Sequence, residues 1–257
     1  MAVPLPLYHI MSERKYYYSK LTDKEKHICD LVVDAVRGFE KSIRFYFHLN
    51  ENFFSRVFDV IQKDYPDIFY LDIENTKMII SGLIATVHLA YLYPTSVIRK
   101  HQERIDKITN TILSPTIMGR DKLEIEIRIH ELLLRNVDYS PELTNIESYS
   151  IVGPLLNRSG VCQGYSKAFQ LLCEKAGIPC LCVFGLSAQP SSSTDRKHVW
   201  NMVQLSSSLR CHIDVTWDSC IYHYGSQDYN KYFNVSDESM ALDHSWDLGN
   251  VPSSIMY

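Results

Sequence analysis

Three short stretches carry residues whose types and order could do acyl chemistry. RSGVCQGYSKAF, residues 158–169, sets Cys162 between a glycine-led turn and a helical pattern. HVWN sets His198 at the start of a strand pattern, and HIDVTW sets Asp214 on the next one. A cysteine attacks an acyl carbon as thiolate, and a helix N-terminus and a nearby imidazole both favour that form. The order Gly160-Val161-Cys162 before a helix puts the sulfur near backbone N–H groups that have no intrahelical acceptor. The same donors could face an oxyanion forming on a substrate. Gly160 and Gly164 flank the position with little bulk, which would let a substrate backbone approach. A nucleophile needs a base, and the base needs an orienter. His198 and Asp214 are of the right types for those roles.

The bland reading stands beside this one. A lone cysteine is most often a small core residue. Cys173, Cys180, Cys182 and Cys211 lie on apolar faces and read that way. What singles out Cys162 is the order of parts: cysteine, helix, strand, loop, histidine strand, aspartate strand. Register decides whether the last two meet. If Gln204 pairs with Ser208 across the turn, His198 lies directly opposite Asp214. A register two residues away makes them diagonal neighbours on one face, and an odd shift separates them across the sheet.

The elements that must position these residues follow from periodicity. LTDKEKH opens a helix with a Thr22–Glu25 capping box, and apolar residues recur at helical spacing to Phe39. SIRFYFHLN alternates as a strand. ENFFSRVFDVIQKDYP returns to helical period until Pro66 stops it. IFYLD and the run 78–93 read as strands, the second broken at Ser81-Gly82. Helical pattern resumes from Ser96 to Pro115. DKLEIEIRIHELLLRNV reads as a helix by its length and its Leu and Glu content. A loop-like YSPELTNIESYS follows. The helix after Cys162 should end at Ala176 before Gly177 and Pro179. CLCVFGL is a buried strand, and AQPSSSTDRK a polar loop. HVWNMVQL and LRCHIDVTW form a strand pair about the turn at 206–208. The expected organisation is an N-terminal α/β region, residues 1–115, and a core, residues 116–257.

Bulk composition bounds the function. The chain has 257 residues, 46% hydrophobic and 22% charged, with net charge −4. That suits a globular protein with a full core and offers no basic field for nucleic acid or an anionic membrane. The N-terminus lacks the basic and long apolar regions of a secretory signal, and the run 78–93 is short for a membrane span. A cytoplasmic chain is the expectation. The cysteines number seven, with no CxxC, which argues against a disulfide framework and against a structural zinc site.

The pattern GVCQGYSKAF…AGIP…HVWNMV…HIDVTW resembles the catalytic core of the transglutaminase-like superfamily. The core likeness covers residues 148–218, and DYPDIFYLD and YFNVSDESMALDHSW look like bacterial transglutaminase-domain proteins. The resemblance implies an α+β, papain-like fold in which a cysteine-bearing helix packs on an antiparallel sheet. It implies a triad of Cys162, His198 and Asp214 that needs no metal or organic cofactor. It implies thiol acyl transfer on peptide or isopeptide amides, by a peptidase or amidase when water accepts the acyl group, and by a transglutaminase when an amine does. The partner would be a peptide or protein substrate. Ser166 stands where many relatives have Ala, and Leu209-Arg210-Cys211-His212 stands where a Trp-Tyr pair is common. A non-catalytic scaffold of the same fold is the rival, and the intact triad argues against it.

Other residues are weaker candidates. Trp200 alternates with His198 and could line the site, or pack in the core. Tyr149 and Tyr139 could supply a second oxyanion donor or bind substrate. His212 is a rival base. Asn201 reads as support, Trp217 as packing, and His244 as a cover for the site or a packing residue.

Overall fold

The computed structural model describes residues 15–46, 49, 51–141, 145–188 and 196–256. The loop 189–195, expected to be polar, lies outside these residues, as does part of the expected strand 43–49. The chain forms two compact units, Met1–Lys100 and His101–Tyr257.

In the first unit, α1 (Tyr16–Ser19) precedes α2 (Asp23–Arg37). The Thr22 side chain accepts from Glu25 N while the Glu25 carboxylate accepts from Thr22 N, closing the expected capping box. Ile28, Val32 and Val36 of α2 are buried, as are Val57, Phe58 and Ile61 of α3 (Glu51–Asp64), so their apolar faces form the core of this unit. The sheet has order β1 (Ser42–Phe45), β3 (Ile84–His88), β2 (Lys77–Ser81) and is antiparallel. Gly82, at φ 61°, makes the β2–β3 turn at the expected break. IFYLD is not a strand. It folds as turns with a single bridge from Leu71 to Tyr91, because Pro66 and Asp67 start a tight turn that the chain leaves only at Leu71.

The second unit holds all three motifs. After α4 (Thr95–Ile112) and the short α5 (Pro115–Met118), α6 (Lys122–Asn136) begins at the N-cap Asp121. A parallel pair follows, β4 (Asp138–Tyr139) with β5 (Ser159–Gly160). Between them lie a 3₁₀ turn, Ile146–Tyr149, and a π turn, Gly153–Asn157. β5 leads through Val161 into α7 (Cys162–Lys175). Gly177, at φ 75°, follows the end of α7 at the predicted place.

The main sheet has order β8 (Leu209–Ile213), β7 (Arg196–Ser206), β6 (Cys180–Ser187), β9 (His244–Trp246), all antiparallel. Tyr165, Ala168, Phe169 and Leu172 of α7 are fully buried, and the helix packs on β6 and β7. Two polar links fix its height on the sheet. Ser166 Oγ donates to Val199 O at 2.8 Å, and Asn201 Nδ2 donates to Ser166 O at 3.0 Å. LRCHIDVTW is only half strand. Asp214 ends it and caps α8 (Val215–His223), because its carboxylate accepts the first free N–H groups of that helix. The short α9 (Asp237–Met240) comes before β9. No helix among the described residues is long and apolar enough to cross a membrane.

Candidate active site

Cys162 is the first residue of α7. Its N-cap, Val161, has no side chain able to cap the helix. The first N–H groups of α7 therefore keep the electropositive character of an open helix end. Cys162 is partly exposed, as is Cys220, whereas Cys29, Cys173, Cys180, Cys182 and Cys211 are buried. Burial pushes the Cys173 and Cys180 thiols up, and the Cys211 thiol up to about 12, which suits their expected inertness.

The β7–β8 register brings the other two residues together. Gln204 pairs with Arg210, not Ser208, and Asn201 pairs with Ile213. This is the register two residues away, which makes His198 and Asp214 diagonal neighbours. His198 Nε2 lies 2.6 Å from Asp214 Oδ2, so Nδ1 is the ring nitrogen left for the thiol. The Cys162 side chain is in hydrogen-bonding reach of the same imidazole. Burial opposes a charge on His198. The carboxylate of Asp214, its hydrogen bond and the nearby sulfur together outweigh burial and push the imidazole up to about 10.

Asp214 is fully buried, which alone would favour the neutral acid. The contacts with His198 and His244 outweigh this and hold its carboxyl well below the usual range. Its Oδ1 accepts from Thr216 N at 3.0 Å and Trp217 N at 3.1 Å. One oxygen thus caps a helix while the other meets the imidazole, which explains why the aspartate stands where it does in DVTW. Asp214 N in turn donates to Tyr232 O at 3.0 Å, and Tyr232 N donates to Asp218 Oδ1 at 2.9 Å. Asp218 Oδ2 meets His130 Nε2 of α6 at 3.0 Å. Asp214 is thus braced through this second buried carboxylate.

Three expected site residues have other surroundings. Trp200 is not at the surface. It is fully buried beneath His198, near-parallel to it with ring centroids 6.0 Å apart, and its Nε1 donates to His212 Nδ1 at 3.0 Å. Gly164 does not open a path to substrate. A Cβ there would stand 2.3 Å from Ser148 O, so the missing side chain admits the preceding loop. His212 is no rival base, because its Nε2 lies 3.0 Å from Asp237 Oδ1 and both nitrogens are engaged. Burial drives it down to about 4. Tyr139 and Tyr149 are exposed. Tyr139 pairs with Gly160 on β5, two residues before Cys162. Although the residue is exposed overall, partial desolvation raises its hydroxyl to about 12, and the charges of Cys162, Cys220, Asp214 and Tyr149 act the same way, so the hydroxyl lies in range of the Cys162 charge.

Residues 110–216 match the sequence model of the transglutaminase-like superfamily, a span that holds Cys162, His198 and Asp214. This segment is similar to a transglutaminase-like core. The chain is also similar to the kyphoscoliosis peptidase of Mus musculus, 29% identical over 110 residues, which is 37% of this chain and 16% of that protein. The chain thus spans a small part of that relative. A crystal structure of a TGase is 13% identical, over 78% of this chain and 55% of that one, with TM-score 0.40. The periplasmic domain of TgpA from Pseudomonas aeruginosa is 15% identical, over 59% of each chain, with TM-score 0.35.

His244, expected to cover the site or to pack, is at the site, where its contact with Asp214 was not foreseen. It lies on β9, and its Nε2 is 3.2 Å from Asp214 Oδ2. Among the described residues, His198, Asp214 and His244 bring three donor atoms within 4.8 Å, a spacing that could hold a metal ion. Here both ring nitrogens bond the same carboxylate oxygen, so hydrogen bonds alone account for the arrangement. Only the adjacent acid in LDHSWD hinted at a histidine used for charge.

Proposed function

We propose that residues 116–257 form a thiol acyl-transfer enzyme acting on peptide or isopeptide amides, with water as the acyl acceptor. Cys162 attacks the amide carbonyl as thiolate, forming a C–S bond. The oxyanion faces the Cys162 N–H and the Tyr139 hydroxyl. The intermediate collapses, the C–N bond breaks, and the imidazolium of His198 gives its proton to the leaving nitrogen. Water then attacks the thioester while His198 takes its proton, and the thiolate leaves. An amine in place of water would give transamidation. The peptidase name of the mouse relative favours water. Asp214 holds the ring so that Nδ1 faces sulfur, and stabilises its charged form.

One observation carries this reading: a partly exposed cysteine at an uncapped helix start, beside an imidazole whose far nitrogen is 2.6 Å from a buried carboxylate. The test is selective alkylation. At about pH 6, iodoacetamide should modify Cys162 well ahead of the other cysteines. Cys162→Ala should keep the fold and lose turnover of any peptide pool that leaves a thioester on the wild type. Equal reactivity of all thiols would sink the reading and leave a binding scaffold.

A further inference from the structure

Asp214 Oδ2 serves two imidazoles, His198 at 2.6 Å and His244 at 3.2 Å. The second ring is held from behind. Its Nδ1 lies 2.7 Å from Asp243 Oδ1. The other oxygen of Asp243 accepts from the Tyr232 hydroxyl at 2.6 Å and faces Lys231 Nζ at 3.5 Å. A neutral imidazole has a single N–H. His244 meets a carboxylate at each nitrogen, so both contacts are hydrogen bonds only when the ring carries two protons. The two rings lie with centroids 5.4 Å apart and one carboxylate oxygen between them, so a doubly protonated His244 would set a second cation against that oxygen.

We propose that His244, set by Asp243, is a positioning residue that limits how tightly Asp214 makes His198 hold its proton. The idea rests on the reading of Cys162 and His198 as the working pair. A general acid must release its proton to the leaving nitrogen and then take one from water, which favours an intermediate basicity. An unshared buried carboxylate would bind the imidazolium too firmly. A second cation on the same oxygen draws off part of that charge and repels the imidazolium directly. It also completes the grip on the carboxylate, whose other oxygen is held by Thr216 N and Trp217 N.

The remaining groups around His244 leave this balance intact. His198 and Trp200 face it from β7, Trp217 from α8, and Tyr232 from the segment 226–235. His212 of β8 is near enough to feel its charge, but burial drives His212 down to about 4, so it is neutral. Burial and Asp243 raise the Tyr232 hydroxyl, so it is neutral too. The charges that matter are Asp214, Asp243 with its Lys231, and His198.

The test is the pH profile of Cys162 carboxymethylation by iodoacetate, followed by mass spectrometry of the Cys162 peptide. An anionic reagent is drawn by the imidazolium, so the rate falls as His198 loses its proton. His244→Gln removes the cation and retains an N–H. Asp243→Asn leaves the ring untouched but sets an amide donor at Nδ1, so His244 keeps one proton, on Nε2. Both variants should move the alkaline limb up by roughly one pH unit. The shift in Asp243→Asn is required. A limb that stays at the wild-type pH there, or moves down, overturns the proposal whatever His244→Gln does. If wild-type Cys162 reacts no faster than the other thiols, the nucleophile reading fails instead, which is a separate result.

Discussion

Asp214 shows at the scale of one residue how a short motif holds two tasks. Its Oδ1 caps α8 and its Oδ2 meets two rings. Asparagine keeps the cap, because its carbonyl oxygen still accepts from Thr216 N and Trp217 N. Its amide would then face His198 Nε2, forcing that nitrogen to accept and putting the ring proton on the sulfur side. Asp214→Asn should therefore fold normally and lower turnover by about ten-thousand-fold, as the wrong tautomer does in other triads. Normal turnover in a folded Asp214→Asn would remove Asp214 from the chemistry. Tyr139→Phe tests the second oxyanion donor, with an expected loss of about a hundredfold in kcat at unchanged thermal stability. The His198–Asp214 pair also couples to stability with a definite sign. His198, raised to about 10, adds stability that is whole below about pH 6.5 and is lost as pH rises through about 10. Asp214, depressed, adds stability present above about pH 4 and lost in acid. The three residue types and their order were legible because each sits in a short motif. His244 was read only as a cover or a packing residue, and its contact with Asp214 was not legible, because that contact depends on the pairing of β9 with the far edge of β6.

Register and close approach dominate at the scale of elements. The β7–β8 pairing lies two residues from the one that put His198 directly opposite Asp214, and parity was what mattered: either even register leaves them on one face. The strand reading failed at DVTW because a capping aspartate looks, in an alternating pattern, like one more outward polar residue. It failed at IFYLD because five apolar and aromatic residues fit a buried turn as well as a strand. Gly185 was not legible either. It pairs with His198 on β7 and with Trp246 on β9. A Cβ there would stand 2.2 Å from Ser245 O and 2.6 Å from Trp200 Cη2. Gly185→Ala must therefore displace β9, the Trp200 ring, or both, at a cost of about 1–3 kcal/mol. Because Trp200 lies under His198 and β9 carries His244, the same change should slow Cys162 alkylation several-fold, read with melting in parallel. Adding Trp200→Phe should relieve only the ring clash, since the Ser245 carbonyl remains. Full recovery in the double variant would show that β9 does not press on Gly185.

The whole molecule ties its site together through contacts that no local pattern could reveal. Glu126 on α6 is fully buried and accepts from Asn234 Nδ2 at 2.9 Å, across 108 residues of chain. Asn234 follows closely on Tyr232, whose carbonyl holds the Asp214 N–H. The Glu126 Oε1 and Asn234 Oδ1 atoms are both buried with no hydrogen-bond partner among the described residues. Buried acceptors without a donor are costly, and a proton on Glu126 would make one of its oxygens a donor. Burial raises the Glu126 carboxyl to about 7, with the Asn234 hydrogen bond opposing only in part. A raised carboxyl adds stability that is whole below its unfolded value, about pH 4.5, and is lost as pH rises through about 7. The protein should thus melt lower at pH 8 than at pH 5.5. Glutamine supplies the donor at every pH and carries no charge. Glu126→Gln should gain about 1 kcal/mol at pH 5.5, which already lies above the unfolded value, and roughly 3 kcal/mol at pH 8, a rise of about 5 °C or more there. Since Asn234 lies in the segment that holds Asp214, the variant should also keep Cys162 alkylation at its wild-type rate at pH 5.5. An equal change in melting at both pH values would mean that the Glu126 charge is not what the fold resists.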